Sequence, residues 1–380
     1  MNNSMKENLK IKYVKPSKKD MERADELEKQ FKYCPHVVIL GAGASKANII
    51  NGDKNGLQIP CMDDFFGIDY FSDLLDGIYL QTKSKNLENI YSEIYKRSLR
   101  SKKYEDVKCK LEERTRDYFC KFESPHEPTI YDYLIMSLTN KDLIASFNWD
   151  PMLVQSYIRI RKLFGSLDNM PRIAFLHGNV GIEVDTGTKR INIKTTPYDK
   201  CFPGFSNLKL LYPTRQKNYS SDAFIKNQWD MVRDYVGRAY FFTIFGYGAP
   251  SSDSDAMNLL KEAWGDTSKK WANEIEIINV EDPSICYEKW KPFIYGSHYQ
   301  CHKDFFESFI ATHPRRTTES LFDVTMNVIW GKPTKILNQK PSLEEFHCFL
   351  KPLIDDEVLK KDKKIARTNI YSTFITPIKH

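Results

Sequence analysis

A β-branched run that stops at two glycines constrains the fold of this chain more than any other feature. The stretch HVVILGAGASKANI, residues 36–49, predicts a buried strand, a tight turn and the start of a helix. The small residues of this turn let backbone N–H groups approach a diphosphate, with the Ser45 hydroxyl as a further donor; they are Gly41, Ala42, Gly43 and Ser45. A tight turn without a ligand is the alternative interpretation.

Two common phosphate-binding loops fit this turn poorly. A phosphate-loop ATPase needs G-x-x-x-x-G-K-[ST], and Lys46 stands at the position of its second glycine. The dinucleotide fingerprint G-x-G-x-x-G accepts Gly41 and Gly43, but its third glycine also falls on Lys46. The turn therefore weakens a dehydrogenase interpretation without eliminating it.

Short apolar, β-rich runs recur along the chain and predict fully buried parallel strands. They occupy residues 36–40, 142–147, 172–176, 239–245 and 274–280. We predict an α/β fold with a doubly wound, Rossmann-like parallel sheet. A helical subdomain at about residues 50–140 is inserted after the first strand. We predict an N-terminal extension at residues 1–34 and a nucleotide-binding domain at residues 35–300. Residues 301–380 are predicted to form a helical C-terminal extension, because the sequence has a helical pattern from about residue 300.

Charge and cysteine usage exclude several classes of protein. The net charge of +6 comes from 56 basic and 50 acidic residues in 380, and the basic clusters at 189–194, 314–317 and 360–364 are interpreted as solvated faces. They do not indicate direct nucleic-acid binding.

The eight cysteines form no C-x-x-C pair, so we expect reduced, mostly buried thiols and no metal site. No signal peptide or membrane-spanning run is evident, which predicts a cytoplasmic protein.

Polar residues follow the predicted strands, at the edge where open α/β sheets bind ligands. Asn148 and Asp150 follow the second strand in SFNWD, and His177 follows the third in LHGN. The fourth strand leads into FGYGAPSSDSD, where DSDAMNLLKEAW, residues 253–264, predicts an N-capped amphipathic helix. Each loop also has a structural interpretation: Asn148 and Asp150 as turn and cap residues, His177 as a satisfied histidine at a strand end.

The set of motifs in this order resembles the NAD-binding domain of the sirtuin (SIR2) family. The matching residues are Gly41-Ala42-Gly43 with Ser45, then Asn148-Trp149-Asp150, then His177-Gly178. Ile59-Pro60 corresponds to part of the sirtuin Gly-Ile-Pro-Asp-Phe segment, with Asp64-Phe65 displaced and the usual arginine missing. The loop after the fourth strand and Asn279 after the fifth are more similar to SIR2-like proteins of bacterial antiphage defence. The resemblance covers roughly residues 36–285.

The resemblance implies that NAD is bound as a substrate. The binding residues would be Gly41, Ala42, Gly43, Ser45, Gly246, Tyr247, Ser252 and Asn279, and the catalytic residues Asn148, Asp150 and His177. Nicotinamide leaves as a neutral molecule, so the site needs a base and a positioned nucleophile. His177 would be the base, Asn148 would hold a ribose hydroxyl or water, and Asp150 would orient the carboxamide or brace the loop.

Sirtuin deacylases carry a zinc module with paired C-x-x-C motifs after the His-Gly loop. The corresponding stretch here contains only Cys201, so no zinc is expected and hydrolysis of NAD to nicotinamide and ADP-ribose is favoured. The alternatives are a protein deacylase, an ADP-ribosyltransferase, or a non-catalytic module that senses NAD or ADP-ribose. Similarity to the SIR2 type that pairs with a HerA-like ATPase implies a homo-oligomer, such an ATPase as partner, and NAD depletion in infected cells.

Overall fold

The computed structural model describes residues 17–185, 187–188, 190–194, 201–214, 219, 222–250, 253–329 and 331–362. The strands, β1 to β9 in chain order, are His36–Leu40, Leu143–Ser146, Arg172–Phe175, Ile182–Val184, Ile191–Ile193, Ser206–Asn207, Phe241–Phe245, Glu274–Ile278 and Tyr299–His302. The helices, α1 to α13, are Lys18–Phe31, Ala42–Asn48, Asp69–Ser72, Leu87–Ser98, Lys102–Cys120, Ile130–Ser137, Met152–Phe164, Ala223–Arg238, Ser254–Trp264, Pro283–Trp290, Phe309–Thr312, Thr317–Asn327 and Leu343–Asp362.

The main sheet confirms the predicted doubly wound fold. Its strand order is β3-β2-β1-β7-β8-β9, and every neighbouring pair is parallel. In chain order, β2 and β3 are added on one side of β1. The chain then crosses to the other side of β1, where β7, β8 and β9 are added in turn. This reversal places the topological switch point between the carboxyl ends of β1 and β7, where such sheets bind ligands.

The strands of this sheet are buried on both faces, as continuous apolar runs predict. Val37 and Ile39 of β1 belong to a core with α8, α9 and α10. Val38 and Leu40 point to the opposite core, which contains the inserted helices α4, α5 and α6. The predicted insertion between the first two strands is therefore helical and shares the core on one face of the sheet. The domain limits themselves remain a prediction.

Two features of the sheet region differ from expectation. Residues 299–302 form the edge strand β9, so the prediction of helix from about residue 300 is wrong there. All residues of β9 are only partly buried, and its sequence YQCH lacks the apolar run by which the other strands were found. A second, antiparallel sheet of order β5-β4-β6 follows the third strand and was not predicted.

The interpretation of the basic cluster at 314–317 as a solvated face is wrong for Arg315. Arg315 is 1% exposed and forms an ion pair with Glu357 of α13. Its guanidinium also donates to the backbone oxygens of Leu138 at 3.0 Å, Asn169 at 3.1 Å and Met136 at 3.3 Å. Five donors in a rigid fork suit arginine to such a site, which fastens the C-terminal helix to α6.

The cysteines are free, but mostly half-buried rather than buried. Cys286 is buried, Cys109 and Cys348 are exposed, and the remainder are intermediate. Within the described ranges no three or more histidine, cysteine, aspartate or glutamate residues are grouped so that they could hold a metal ion. Over the same part of the chain, no helix has both the length and the apolar composition that crossing a bilayer requires.

A buried polar chain crosses the sheet from β1 to β8. The His36 Nε2 atom lies 2.7 Å from Thr243 Oγ1, and the Thr243 hydroxyl donates to Glu276 at 2.9 Å. Because that hydroxyl has one proton, His36 is the donor through Nε2 whenever Glu276 is ionised. Burial lowers the pKa of His36 well below its usual value and raises the pKa of Glu276 to about 7.

We predict that Arg315→Ala lowers the free energy of unfolding by about 3 kcal/mol or more, because it leaves three backbone oxygens without a donor and removes a buried charge partner. Urea denaturation followed by circular dichroism measures this. Lys102→Ala, which removes an exposed pair with Glu105, is the control and should leave the transition unchanged. Equal stability of Arg315→Ala and the native chain would contradict the assigned role.

We also predict that Glu276 and Glu274 lower the stability progressively as the pH rises from about 4.5 to about 7, against the opposite contribution of His36 and the other histidines whose pKa burial lowers. Burial raises the pKa of both Glu276 and Glu274 to about 7, so across this window the unfolded carboxyls lose protons that the folded ones keep. Glu276→Gln should shift the slope of unfolding free energy against pH to a more positive value in this window, whereas Glu288→Gln at an exposed site should not. A native slope in Glu276→Gln would refute the assignment.

Candidate functional site

The loops that follow β1 and β7 touch through their main chains at the switch point. The Gly41 amide donates to the Phe245 oxygen at 3.0 Å, and the Gly43 amide donates to the Gly246 oxygen at 2.9 Å. A Cβ atom on Gly41 would lie 2.5 Å from Tyr247 Cα, and one on Gly246, whose φ is +60°, would lie 2.1 Å from the Ala44 nitrogen. Close main-chain contact therefore requires these glycines, whatever the loop binds.

This contact changes the role expected for the glycine amides. The amides of Gly41 and Gly43 donate across the contact, and that of Ala44 donates to the Gly41 oxygen at 2.9 Å. Gly41 is the N-cap residue of α2, and Ala42 is the first residue of that helix. The Ala42 amide takes part in none of these three bonds, which makes it the amide of this turn best placed to meet a ligand.

Ser45 and Asp150 form a buried pair instead of facing outward. Ser45 is fully buried, and its hydroxyl donates to Asp150 Oδ2 at 2.6 Å. The hydroxyl proton is thus directed at Asp150 here, and donation from Ser45 to a diphosphate stays a prediction. Asp150 also accepts from the Met152 amide at 3.1 Å, and burial raises its pKa, partly offset by the Ser45 bond. Of the two roles considered for Asp150, this geometry matches bracing of the loop.

Asn148 ties the loop after β2 to the loop after β1. Its Nδ2 donates to the Gly41 oxygen at 2.8 Å and to Ser45 Oγ at 2.9 Å, and it lies 3.3 Å from the Tyr131 hydroxyl. Asn179 supports the same loop, since its Nδ2 donates to the Asp150 oxygen at 2.6 Å. The Asn148 side chain is thus fixed through its nitrogen, and Oδ1 serves none of these bonds.

His177 lies on the neighbouring strand end among aromatic and acidic side chains. Its Nε2 is 3.2 Å from the Tyr219 hydroxyl and 3.9 Å from Asp253 Oδ1. Phe147, which precedes Asn148, packs edge to face on the imidazole at 4.7 Å between ring centroids. Gly178 has a φ of +80°, and a Cβ there would lie 2.2 Å from the Lys209 oxygen, so glycine is required in the turn that orients His177.

Asp253 is turned toward this cluster rather than toward its helix. It occupies the N-cap position of α9 but makes no side-chain capping bond, so the predicted capping role is wrong for this residue. Its carboxylate instead accepts from the Tyr247 hydroxyl at 2.8 Å. The Tyr247 ring stacks on Phe147, with centroids 4.3 Å apart and planes 7° from parallel. This stack links the His177 neighbourhood to the loop after β1.

Two of the expected binding residues stand outside this set: one follows the neighbouring strand β8, and the other falls outside the described residues. Asn279, at the end of β8, is partly buried, and its Nδ2 lies 3.3 Å from Glu281 Oε2. Glu281 in turn pairs with Lys289 at 2.8 Å. Ser252 falls outside the described residues. The structure brings the other candidates together at the carboxyl ends of β1, β2, β3 and β7.

Several neighbours of the site were missed by sequence reasoning. Asn179 and Asp253 stand within stretches already singled out, LHGN and SDSD, so polar identity next to a strand end was an available signal. Tyr131 lies in the inserted helix α6, and its hydroxyl is 2.8 Å from Ser45 Oγ. A tyrosine within an apolar helix gives no sequence signal that its hydroxyl reaches another loop.

A cavity of about 190 Å³ lies elsewhere, between α7, β3, the small sheet and α8. Its apolar wall includes Tyr157, Ile173 and Phe224, and its polar side includes Asn227 and Asp230. None of the candidate site residues that the structure describes lines it. The candidate site is therefore defined by the strand-end side chains and not by this cavity.

We predict that Gly246→Ala lowers the free energy of unfolding by at least about 1–2 kcal/mol, since its φ of +60° and its 2.1 Å approach to Ala44 both exclude a Cβ. Gly248→Ala is the matched control, because nothing lies within 4 Å of a Cβ at that position. Thermal unfolding of both variants distinguishes them. Equal melting temperatures would contradict the close contact between the loops.

No family model matches the chain, and no curated protein matches it. Among solved structures, a crystal structure of a Sir2 homologue with NAD is 14% identical, with 80% of this chain and 93% of that chain covered and a TM-score of 0.37. A variant of a Sir2 homologue with ADP-ribose is 14% identical, with 80% and 96% covered and a TM-score of 0.34. Sir2 bound to an acetylated peptide is 11% identical, with 81% and 98% covered and a TM-score of 0.36.

Proposed function

We propose that this chain hydrolyses NAD at the nicotinamide–ribose bond, giving nicotinamide and ADP-ribose. The observation that carries the proposal is the placement of Asn148 and His177 on adjacent strand ends beside the switch point, each held by its own partners. The order of the sirtuin-like motifs supports the choice of NAD as the substrate. The dinucleotide would lie along the turn that contains Gly41, Ala42 and Gly43.

His177 would act as the general base. Asp253 lies 3.9 Å from its Nε2, and a carboxylate at this distance stabilises an imidazole that has gained a proton. Tyr219, 3.2 Å away, helps to fix the ring. An imidazole held in this way can take a proton from a ribose hydroxyl or from the attacking water near neutral pH.

Asn148 would position the nucleophile. Its amide nitrogen is anchored to the Gly41 oxygen and Ser45, so Oδ1 remains as an acceptor for a water or a ribose hydroxyl. Because the anchor is the turn proposed to hold the dinucleotide, substrate and Asn148 would share one rigid support. Positioning of this kind lowers the entropic part of the barrier.

The proposed reaction balances without a general acid. The C1′–N bond breaks, and its electron pair stays on the nicotinamide nitrogen and neutralises its positive charge. A water oxygen bonds to C1′, and the proton that this water loses passes to His177. The stacked rings of Phe147 and Tyr247, both buried, would help to exclude bulk water from the reacting centre.

We predict that His177→Ala and Asn148→Ala each reduce the kcat for nicotinamide release by roughly 100-fold or more, through loss of the base and of the positioning amide respectively. Chromatography of NAD, nicotinamide and ADP-ribose measures turnover, with and without a HerA-like ATPase. His126→Ala and Asn338→Ala, at exposed positions, are the controls and should match the native rate. Native turnover in either site variant would refute the mechanism.

The same assay separates the other functions that the motifs allow. A deacylase would consume NAD only when an acylated peptide is supplied, and an ADP-ribosyltransferase would release nicotinamide without free ADP-ribose. A sensing module would bind NAD saturably without turnover. We further propose that NAD depletion is antiviral and cytoplasmic, and that the chain works as a homo-oligomer with a HerA-like ATPase. These proposals rest on the sequence resemblance, and an ATPase that leaves turnover and assembly unchanged would oppose them.

A further inference from the structure

The turn between α4 and α5, at the tip of the inserted helices, exposes apolar and basic side chains together. Tyr79 is 71% exposed and Leu99 is 70% exposed, so both side chains lie mostly in solvent. Exposed basic side chains lie in this turn and beside it: Lys96 near the end of α4, Arg100 in the turn, and Lys102 and Lys103 at the start of α5.

Tyr79 is exposed, yet its segment is fastened to the helices. The Tyr104 hydroxyl donates to the Tyr79 backbone oxygen at 2.6 Å. The Arg97 guanidinium lies 5.5 Å from the centre of the Tyr79 ring and 5.2 Å from that of Tyr104. The amides of Gln81 and Thr82 donate to Glu93 at 2.7 and 2.8 Å. An ordered aromatic ring that faces solvent loses less entropy when it binds a partner.

The acidic side chains of the helix ends that flank this turn are already paired with bases. Glu93 forms an ion pair with Arg97 at 2.7 Å, and Lys102 lies 3.2 Å from Glu105 and 3.3 Å from Asp106. Lys96 and Arg100 form no ion pair with any carboxylate in the described part of the chain. The turn therefore carries a surplus of positive charge around an exposed aromatic ring.

We propose that this tip binds single-stranded nucleic acid, with phosphates at Lys96 and Arg100 and a base stacked on Tyr79. Basic side chains that follow a backbone and an aromatic ring that receives a base are the two elements of such sites. A duplex offers no unstacked base for the ring, so single strands fit the surface better. The three basic clusters noted in the sequence lie elsewhere, and Tyr79 reaches this turn from a separate segment, which a linear pattern does not show.

Fluorescence anisotropy with labelled oligothymidylate and oligouridylate of about 20 nucleotides tests the proposal on the full chain at low salt. We expect saturable binding that Tyr79→Ala weakens roughly tenfold and that Tyr79→Phe retains. Tyr295→Ala removes an exposed tyrosine, 39% exposed, on another part of the surface and should bind like the native chain. Similar affinity for both probes supports a strand-binding tip that does not distinguish DNA from RNA, and preference for one probe supports the tip and identifies which of the two it binds.

The charged residues give a second test that does not depend on Tyr79. Alanine at both Lys96 and Arg100 should weaken binding and flatten the slope of log affinity against log salt by about 0.7 for each lost phosphate contact. Alanine at exposed Lys332 and Lys335 should leave that slope unchanged. The proposal is overturned if neither oligonucleotide binds, if all tip variants bind like the native chain, or if only phosphatidylserine vesicles bind.

Discussion

The main-chain contact between the loops after β1 and β7 is the constraint on which the site depends. Gly41, Gly43 and Gly246 allow two backbones to approach closely, and their amides and carbonyls bond across the gap. The contact fixes the switch point of the sheet, and with it the distance between the two halves of the fold. The glycine-rich turn therefore has a structural role in holding the two loops together, and a ligand can bind only to backbone groups that this contact does not already use.

The polar side chains of the site form two groups beside this contact. Asn148 and Asp150 reach back to Gly41 and Ser45, and so fix the loop after β2 to the loop after β1. His177 and Asp253 lie on the other side of the Phe147–Tyr247 stack. In the proposed mechanism, the first group would position a nucleophile and the second would accept its proton. A shared support would keep their separation constant during the reaction.

Sequence reasoning succeeded where a local pattern carries the physical cause. Five strands of the main sheet were predicted because strands buried on both faces need continuous apolar runs, and their order along the chain located the strand ends. It failed where contacts between distant segments decide the outcome. β9 is half-buried and lacks an apolar run. Asp253 accepts a hydrogen bond from Tyr247 instead of capping its helix, and Arg315 donates to backbone oxygens that are distant in sequence. Tyr131 shows no signal of its site contact in the sequence.

The most direct measurement of the central claim is the product ratio when the native chain is incubated with NAD in buffer without any acylated peptide, with and without a HerA-like ATPase. Chromatography against standards gives the amounts of nicotinamide and ADP-ribose at successive times. Water as the acceptor predicts that the two products accumulate in equal amounts as NAD disappears. Nicotinamide without free ADP-ribose, or NAD that stays intact under both conditions, would contradict the account.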